Sequence, residues 1–531
     1  MPCYRISSFE AFLGVPYALP PLGNLRFSHP QPHAKWQGIL DATRPKPDCI
    51  QKNVLIPNSE VTGEEDCLYM NIYRPQPSSN NPNLLPVMVY FHGGGFYAGS
   101  PNPQIVGPEY FMDTQGVILA VPAYRLGIFG FLSTNDSVIS GNFGLKDQTL
   151  ALKWIQQNIE AFGGDPKRVT IFGQSAGGIA SHLHMLSKHS EGLFESVIAQ
   201  SGTASVAATL QEDPLSVARE TASHLNIPNA ETISSSQLLE NFRLIDAHAV
   251  MAAVDKLKYW HTHRDTVFSI VVENQQSPEA FLTQHPLEIM RNANYNPTRF
   301  MAGIVPEEGA VFSISMWEFE ELRNSLNEDF NALLERLIIF PLRFSRSEID
   351  EAMQKIIEEY FHGHSVLNKE GILNLFSDRV FLHSFYQDTK MFAHTIDTEK
   401  FPLLLYVFNY KGPHSYASLY SGGLKDLKYG VVHADELLYL FRSPEFFSDF
   451  PINSIDAKVS QDFVQYFVDF ATNRNSVSIP KCNKENYPLD SFDTICNYTY
   501  FHNESNNSYS ITARNYFNVS RLRVLNEIFQ Y

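Results

Sequence analysis

The chain has 531 residues, 40 of them basic and 57 acidic, for a formal charge of −17, and its 44% hydrophobic and 18% charged content is ordinary for a folded protein. That composition excludes wholesale disorder, collagen and coiled coil. The acidic excess argues against a nucleic-acid or anionic-membrane surface, because both need clustered Lys and Arg. Taken in chain order, Pro86–His92 (PVMVYFH), Val117–Tyr124, Arg168–Gly173 (RVTIFG), Glu195–Gln200, Arg299–Val305 and Pro402–Tyr410 read as strands, since each is a continuous apolar run suited to burial on both faces. Helices are predicted between several of them, at Leu145–Ile159 and, directly after a strand, at Ala176–Leu186. Strand, helix, strand recurrence of this kind predicts an α/β fold with a large, mainly parallel central sheet flanked by helices. The stretches 210–290 and 315–395 read as mostly helical insertions that cap or flank the sheet. Length alone would allow three or four domains at roughly 150 residues each.

No apolar run approaches the ~20 residues of a membrane helix, so no membrane span is expected. The amino terminus, MPCYRISSFE, lacks a charged segment followed by an apolar one, and no signal peptide is visible. Taken alone, that predicts a cytoplasmic protein. Two features point the other way. Asn-x-Ser/Thr acceptors stand at Asn135, Asn497, Asn503, Asn506 and Asn518, four of them in a Ser/Asn-rich carboxyl-terminal stretch whose composition suits an exposed loop. Of the five Cys, Cys49 and Cys67 flank one short polar segment and Cys482 and Cys496 another, which leaves Cys3 unpaired. Buried free thiols are the alternative for each. Together these features predict an oxidising compartment and entry to the secretory pathway.

Gly173-Gln174-Ser175-Ala176-Gly177 matches G-x-S-x-G. The pattern alone is only suggestive, and its context carries the weight: a buried strand, RVTIFG, runs into it and a predicted helix leaves it, as an exposed nucleophile on a tight turn requires. The helix start also directs backbone N–H groups and a positive dipole end toward Ser175 Oγ. His92-Gly93-Gly94-Gly95-Phe96 ends an earlier buried strand, and glycines there let main-chain N–H groups approach a substrate oxygen. Gly94, Gly95 and Ala176 are therefore the expected oxyanion donors. A neutral Ser hydroxyl is a weak nucleophile, so a His must take its proton and a carboxylate must orient that His. Eighteen His are available. His182 and His184, two apart on a helix, do not share a face and make a poor zinc pair, and His261 and His263 are the other close pair.

The local sequences FLGVPYALPPLGNLRF, EDCLYMNIYRP from Glu65, HGGGF, YRLGIFGFLS from Tyr124 and GNFGLKDQTLALKWIQQNIEAFGGDPKRVTIFGQSAGG resemble the type B carboxylesterase and cholinesterase family, over nearly every segment from Phe12 to Phe529. The resemblance implies an α/β-hydrolase fold, a single domain over 1–531 and a serine hydrolase of carboxylic esters. It also implies which acid and base to choose. The family acid lies in an E-G dipeptide after a strand, and RFMAGIVPEEGAVF offers Glu308 before Gly309, with Glu307 as a solvated neighbour. The family base lies in a segment matched by GVVHADELLYLF, which supplies His433. The order Ser175, Glu308, His433 is that of α/β-hydrolases. Arg26 with Glu65 and Arg125 with Asp147 match buried ion pairs of the family, and Cys49 with Cys67 matches a disulfide closing an 18-residue loop. Neither a metal nor an organic cofactor is implied, and the expected partner is a small-molecule ester.

Three departures from the family pattern bear on substrate and maturation. The cholinesterases hold choline on a Trp inside the Cys loop, since a quaternary ammonium needs an aromatic face, but Ile50 to Asp66 contains no aromatic residue. Neutral esters are therefore favoured over choline esters. The residue before the nucleophile is commonly Glu in the family and is Gln174 here, which removes a negative field from the site and is similar to insect juvenile hormone esterases. Family members also carry a further strand and a signal peptide before FLGVPYA, so either a shortened, intracellular form or an incomplete start of the sequence is expected, and the sequons and Cys pair favour the latter. Two other function classes compete with the enzyme: a non-catalytic adhesion protein on the same fold, and an ester-sequestering protein of slow turnover. The first typically lacks nucleophile or base and ends in a membrane helix, whereas all three triad positions are filled here.

Overall fold

A computed structural model of the chain describes residue 4 and residues 8–53, 59–76, 83–207, 209–261, 267–274, 277–472, 481–488, 496–504, 508–515 and 520–529. Cys3, His263, Asn506 and Asn518 lie outside the described residues. Ten strands form one sheet: β1 (Phe9–Pro16), β2 (Tyr69–Pro75), β3 (Leu85–Phe91), β4 (Ile118–Pro122), β5 (Gly164–Gln174), β6 (Ser196–Gln200), β7 (Arg299–Ile304), β8 (Leu403–Asn409), β9 (Tyr498–Glu504) and β10 (Ser508–Arg514). Their order is β1-β2-β4-β3-β5-β6-β7-β8-β9-β10, parallel from β4 through β9 and antiparallel at both edges. The expected large, mainly parallel sheet of an α/β protein is present.

The sheet is apolar on both faces because successive side chains of a strand point to opposite sides. In β3, Val87, Val89 and Phe91 join one buried cluster while Met88 and Tyr90 join the other. The same alternation divides Ile171 from Phe172 in β5 and Val197 from Ile198 in β6. Helices cover each face, among them α1 (Phe143–Asn158), α2 (Ala176–Leu186), α3 (Phe330–Ile338), α4 (Lys369–Phe376), α5 (His383–Thr395) and α6 (Ile455–Thr472). The anticipated ion pairs form, with Arg26 Nη2 2.6 Å from Glu65 Oε2 and Arg125 Nη2 2.7 Å from Asp147 Oδ1. Disulfides join Cys49 to Cys67 and Cys482 to Cys496. Among the described residues no helix is long and apolar enough to cross a membrane.

Two expectations are corrected. The carboxyl-terminal stretch is not simply an exposed loop, for it supplies β9 and β10. Phe501 of β9 is fully buried, its ring 5.0 Å from that of Phe463 and 6.0 Å from that of Phe408, and Tyr498 of the same strand is buried too, so two aromatics outweigh the polar composition around them. The 210–290 region is also less helical than anticipated, with α-helices among the described residues only at Pro214–His224, Ser235–Leu244, Ala247–Ala252 and Pro286–Arg291. Within it, Glu273 is buried and pairs with Lys146, and it accepts from Asn142 Nδ2 at 2.7 Å and from the Phe281 amide at 2.8 Å. That polar network fixes an irregular segment which apolar periodicity alone reads as helix.

Candidate active site

The carboxyl ends of the parallel strands converge, and each expected site residue follows one of them. Ser175 occupies the single position between β5 and α2, with φ 57° and ψ −123°. A positive φ in a Ser is strained and persists only where the surroundings enforce it. Here the Ser175 amide donates to the Gln200 carbonyl at 2.8 Å, and the Ser175 carbonyl accepts from Ile179 at 2.9 Å. The flanking glycines follow from the same crowding, because a Cβ on Gly177 would sit 1.9 Å from the Phe91 carbonyl oxygen and one on Gly173 would sit 2.4 Å from Gly177.

Glu308 follows β7 and is fully buried. Its Oε1 accepts from the Val305 amide at 2.9 Å, and its Oε2 lies 2.5 Å from His433 Nδ1. With Nδ1–H donating to the carboxylate, His433 presents the lone pair of Nε2, and that atom lies 3.2 Å from the side-chain nitrogen of Gln174, next in chain to Ser175. The His433 ring also rests 4.6 Å from that of Phe381, and its carbonyl accepts from the Tyr420 hydroxyl at 2.9 Å. Asp435, which burial pushes up to about 7, accepts from the amides of Val432 and Tyr416 and so shapes the turn around His433.

Gly94 and Gly95 follow β3 with φ 107° and 58°. The amides of Gly94, Gly95 and Ala176 have no acceptor among the described residues. His92 anchors the loop: its ring stacks 4.3 Å from Tyr124, whose hydroxyl donates to the His92 carbonyl at 2.6 Å, and burial lowers it to about 4. Ser175 and Gly95 open onto a cavity of about 80 Å³ whose walls include Phe96, Ile179, Phe312 and Phe381.

Several residues behave otherwise than their sequence suggested. Glu307, expected to face solvent, is half-buried and accepts from the Gly430 amide at 2.7 Å, clamping the segment that carries His433. His182 and His184 are buried in packing: His182 Nδ1 accepts from the Ala204 amide at 3.0 Å, and His184 lies between Ser190 Oγ and Gln148 Oε1. Among the described residues no group of three or more His, Cys, Asp or Glu is arranged to hold a metal. Asn135 and Asn497 are exposed. Asn503 is also exposed, but its amide is engaged, accepting from the Lys411 amide and donating to the Lys411 carbonyl. The contact of Gln174 with His433 and the cavity-lining Arg379 were not foreseen, because each depends on a partner far away in the chain.

The model of the carboxylesterase family matches residues 4–518. Juvenile hormone esterase of Tribolium castaneum is 37% identical over 479 residues, covering 87% of this chain and 79% of the relative. Esterase E4 of Myzus persicae is 34% identical over 449 residues, 84% of this chain and 79% of the relative. The crystal structure of juvenile hormone esterase from Manduca sexta, with OTFP covalently attached, superposes with a TM-score of 0.83 at 26% identity, covering 100% of this chain and 97% of that one. The chain therefore belongs to the carboxylesterase family and is a carboxylic ester hydrolase with the α/β-hydrolase fold.

Proposed function

We propose that Ser175, Glu308 and His433 form the catalytic triad of a hydrolase acting on neutral, largely apolar esters. The observation that carries this reading is the buried pair of Glu308 and His433, with Nε2 of the imidazole turned to the residue adjoining the strained Ser175. Ser175 Oγ attacks the ester carbonyl as His433 Nε2 takes its proton, and Glu308 holds the resulting imidazolium. The amides of Gly94, Gly95 and Ala176 receive the oxyanion. His433 then protonates the departing alcohol, and water repeats the sequence on the acyl-enzyme. Every step is proton transfer or acyl transfer within these groups.

An apolar cavity beside Ser175, an uncharged Gln174 and the absence of any aromatic between Ile50 and Asp66 all favour neutral esters over choline esters. Similarity to juvenile hormone esterases from two insects supports juvenile hormone as one substrate. The two disulfides fit an oxidising compartment and, with exposed sequons at Asn135 and Asn497, support secretion and glycosylation of a single 531-residue domain. The test is a panel of short-acyl, long-acyl and terpenoid methyl esters on wild type and Ser175→Ala. Ser175→Ala is expected to lose turnover by roughly 10⁴-fold or more, and labelling by an organophosphate with it. Turnover that survives the substitution would sink the mechanism.

A further inference from the structure

The cavity beside Ser175 has one charged element in its wall, Arg379. The residue is 9% exposed. Its guanidinium stacks 3.7 Å from the Phe529 ring, and Nη2 donates to the Ile339 carbonyl at 3.1 Å, while the buried Nε has no hydrogen-bond partner among the described residues. The adjacent acid does not neutralise it. Asp378 is engaged elsewhere, 2.7 Å from Arg521 Nε and 3.0 Å from the Tyr360 hydroxyl. No carboxylate among the described residues forms an ion pair with Arg379. Burial lowers it to about 9, which leaves it a cation at neutral pH. A buried guanidinium whose Nε has no acceptor among the described residues is costly, and an oxygen acceptor reaching it from the cavity would offset that cost.

Local backbone geometry singles out the same place. Arg379, Val380 and Phe381 all line the cavity, although consecutive residues of an α-helix diverge by about 100° each. Ser377–Leu382, between α4 and α5, is a π-helical turn, a rare element that recurs at functional sites. Ile339, whose carbonyl receives Nη2, holds φ at 55° in a β-branched residue, a strained conformation at the same wall.

We propose that Arg379 is a specificity-determining residue that binds an oxygen function of the substrate remote from the scissile ester, so that the preferred substrate is apolar and neutral around the scissile bond and ends in an acceptor at its far end, a carboxylate most strongly. The inference rests on the reading of Ser175 as nucleophile and adds the chemistry of the far end of the substrate. A carboxylate there gains a charge-assisted hydrogen bond in a water-poor site, whereas a methyl group leaves the guanidinium as it stands.

The experiment uses matched esters whose apolar chain ends in methyl, methoxy or carboxylate, with that chain on the acyl side in one set and the alcohol side in the other. Wild type is expected to show at least about tenfold higher kcat/KM for an oxygen-ended member than for its methyl-ended partner in one set. Arg379→Met removes that preference while the methyl-ended ester is still turned over, and Arg379→Lys restores part of it. A merely structural Arg379 would lower turnover of every member alike and leave the ratio unchanged, which overturns the proposal. Where Arg379→Met fails to fold, wild type decides alone: a flat series on wild type overturns this inference and leaves the Ser175 mechanism standing. Wild type inactive on every ester removes both.

Discussion

Gln174 joins the turn that carries the proposed nucleophile to the proposed base, His433. Its uncharged side-chain nitrogen lies 3.2 Å from His433 Nε2. Replacing it with Glu would set a carboxylate against the imidazole, and an opposite charge at that range stabilises the protonated ring by one to three pH units' worth of free energy, about 1.4 kcal/mol per unit. Gln174→Glu is therefore expected to shift the acid limb of the kcat/KM profile upward by about one pH unit or more, with activity recovered in alkali. A profile superimposing on that of wild type would remove the contact from the mechanism. The residue itself was legible in the sequence as a missing charge, but its contact was not, since His433 stands 259 residues downstream. Glu307 illustrates the same limit: beside the more informative Glu308 it read as a bystander, and only the approach of Gly430 reveals it as a clamp.

Among the elements, α5 is tied to the segment after β6 by one buried carboxylate. Asp388 accepts from the Ser205 amide at 2.9 Å and from the Ser205 hydroxyl, and it lies 3.7 Å from His182 Nδ1. Burial raises Asp388 to about 6, and it lowers His182 to about 3, so the imidazole is neutral and offers no counter-charge. For an acid whose folded value is raised, the folded state holds the proton more tightly. Its stabilising contribution is complete below the unfolded value near 4 and disappears as pH rises through about 6. The change amounts to ~3 kcal/mol. Asp388→Asn cannot titrate, so its urea midpoint is expected to gain on that of wild type between about pH 4 and pH 7. A constant difference across that range would contradict the assignment. Central strands buried on both faces were legible as apolar runs, whereas the edge strands β1 and β10 and their neighbours β2 and β9 were not; an edge strand needs to bury only part of its surface, and β9 and β10 keep polar residues such as Asn503 and Thr512.

For the molecule as a whole, the net charge of −17 argues against a nucleic-acid or anionic-membrane surface but leaves open what holds the fold, and the two disulfides answer part of that question. They close loops of 18 and 14 residues, so the loop-entropy model gives each a similar stabilisation of about 3 kcal/mol. Their surroundings differ. Gln51, two residues past Cys49, donates to the Gly99 carbonyl at 2.9 Å and accepts from the Gly99 amide at 2.8 Å, which pins the segment that follows the glycine loop. Cys482 instead bonds through its amide to Leu403 at the start of β8, beyond the far end of the strand from His433. Replacing either pair with Ala is thus expected to lower the unfolding midpoint by a comparable amount. At a temperature well below both midpoints, however, only loss of Cys49–Cys67 should reduce kcat/KM, because the amides of Gly94 and Gly95 are positioned by a loop that this bridge helps to hold. Equal losses of kcat/KM in the two double variants would show that the Cys49–Cys67 loop stabilises the chain without positioning the site.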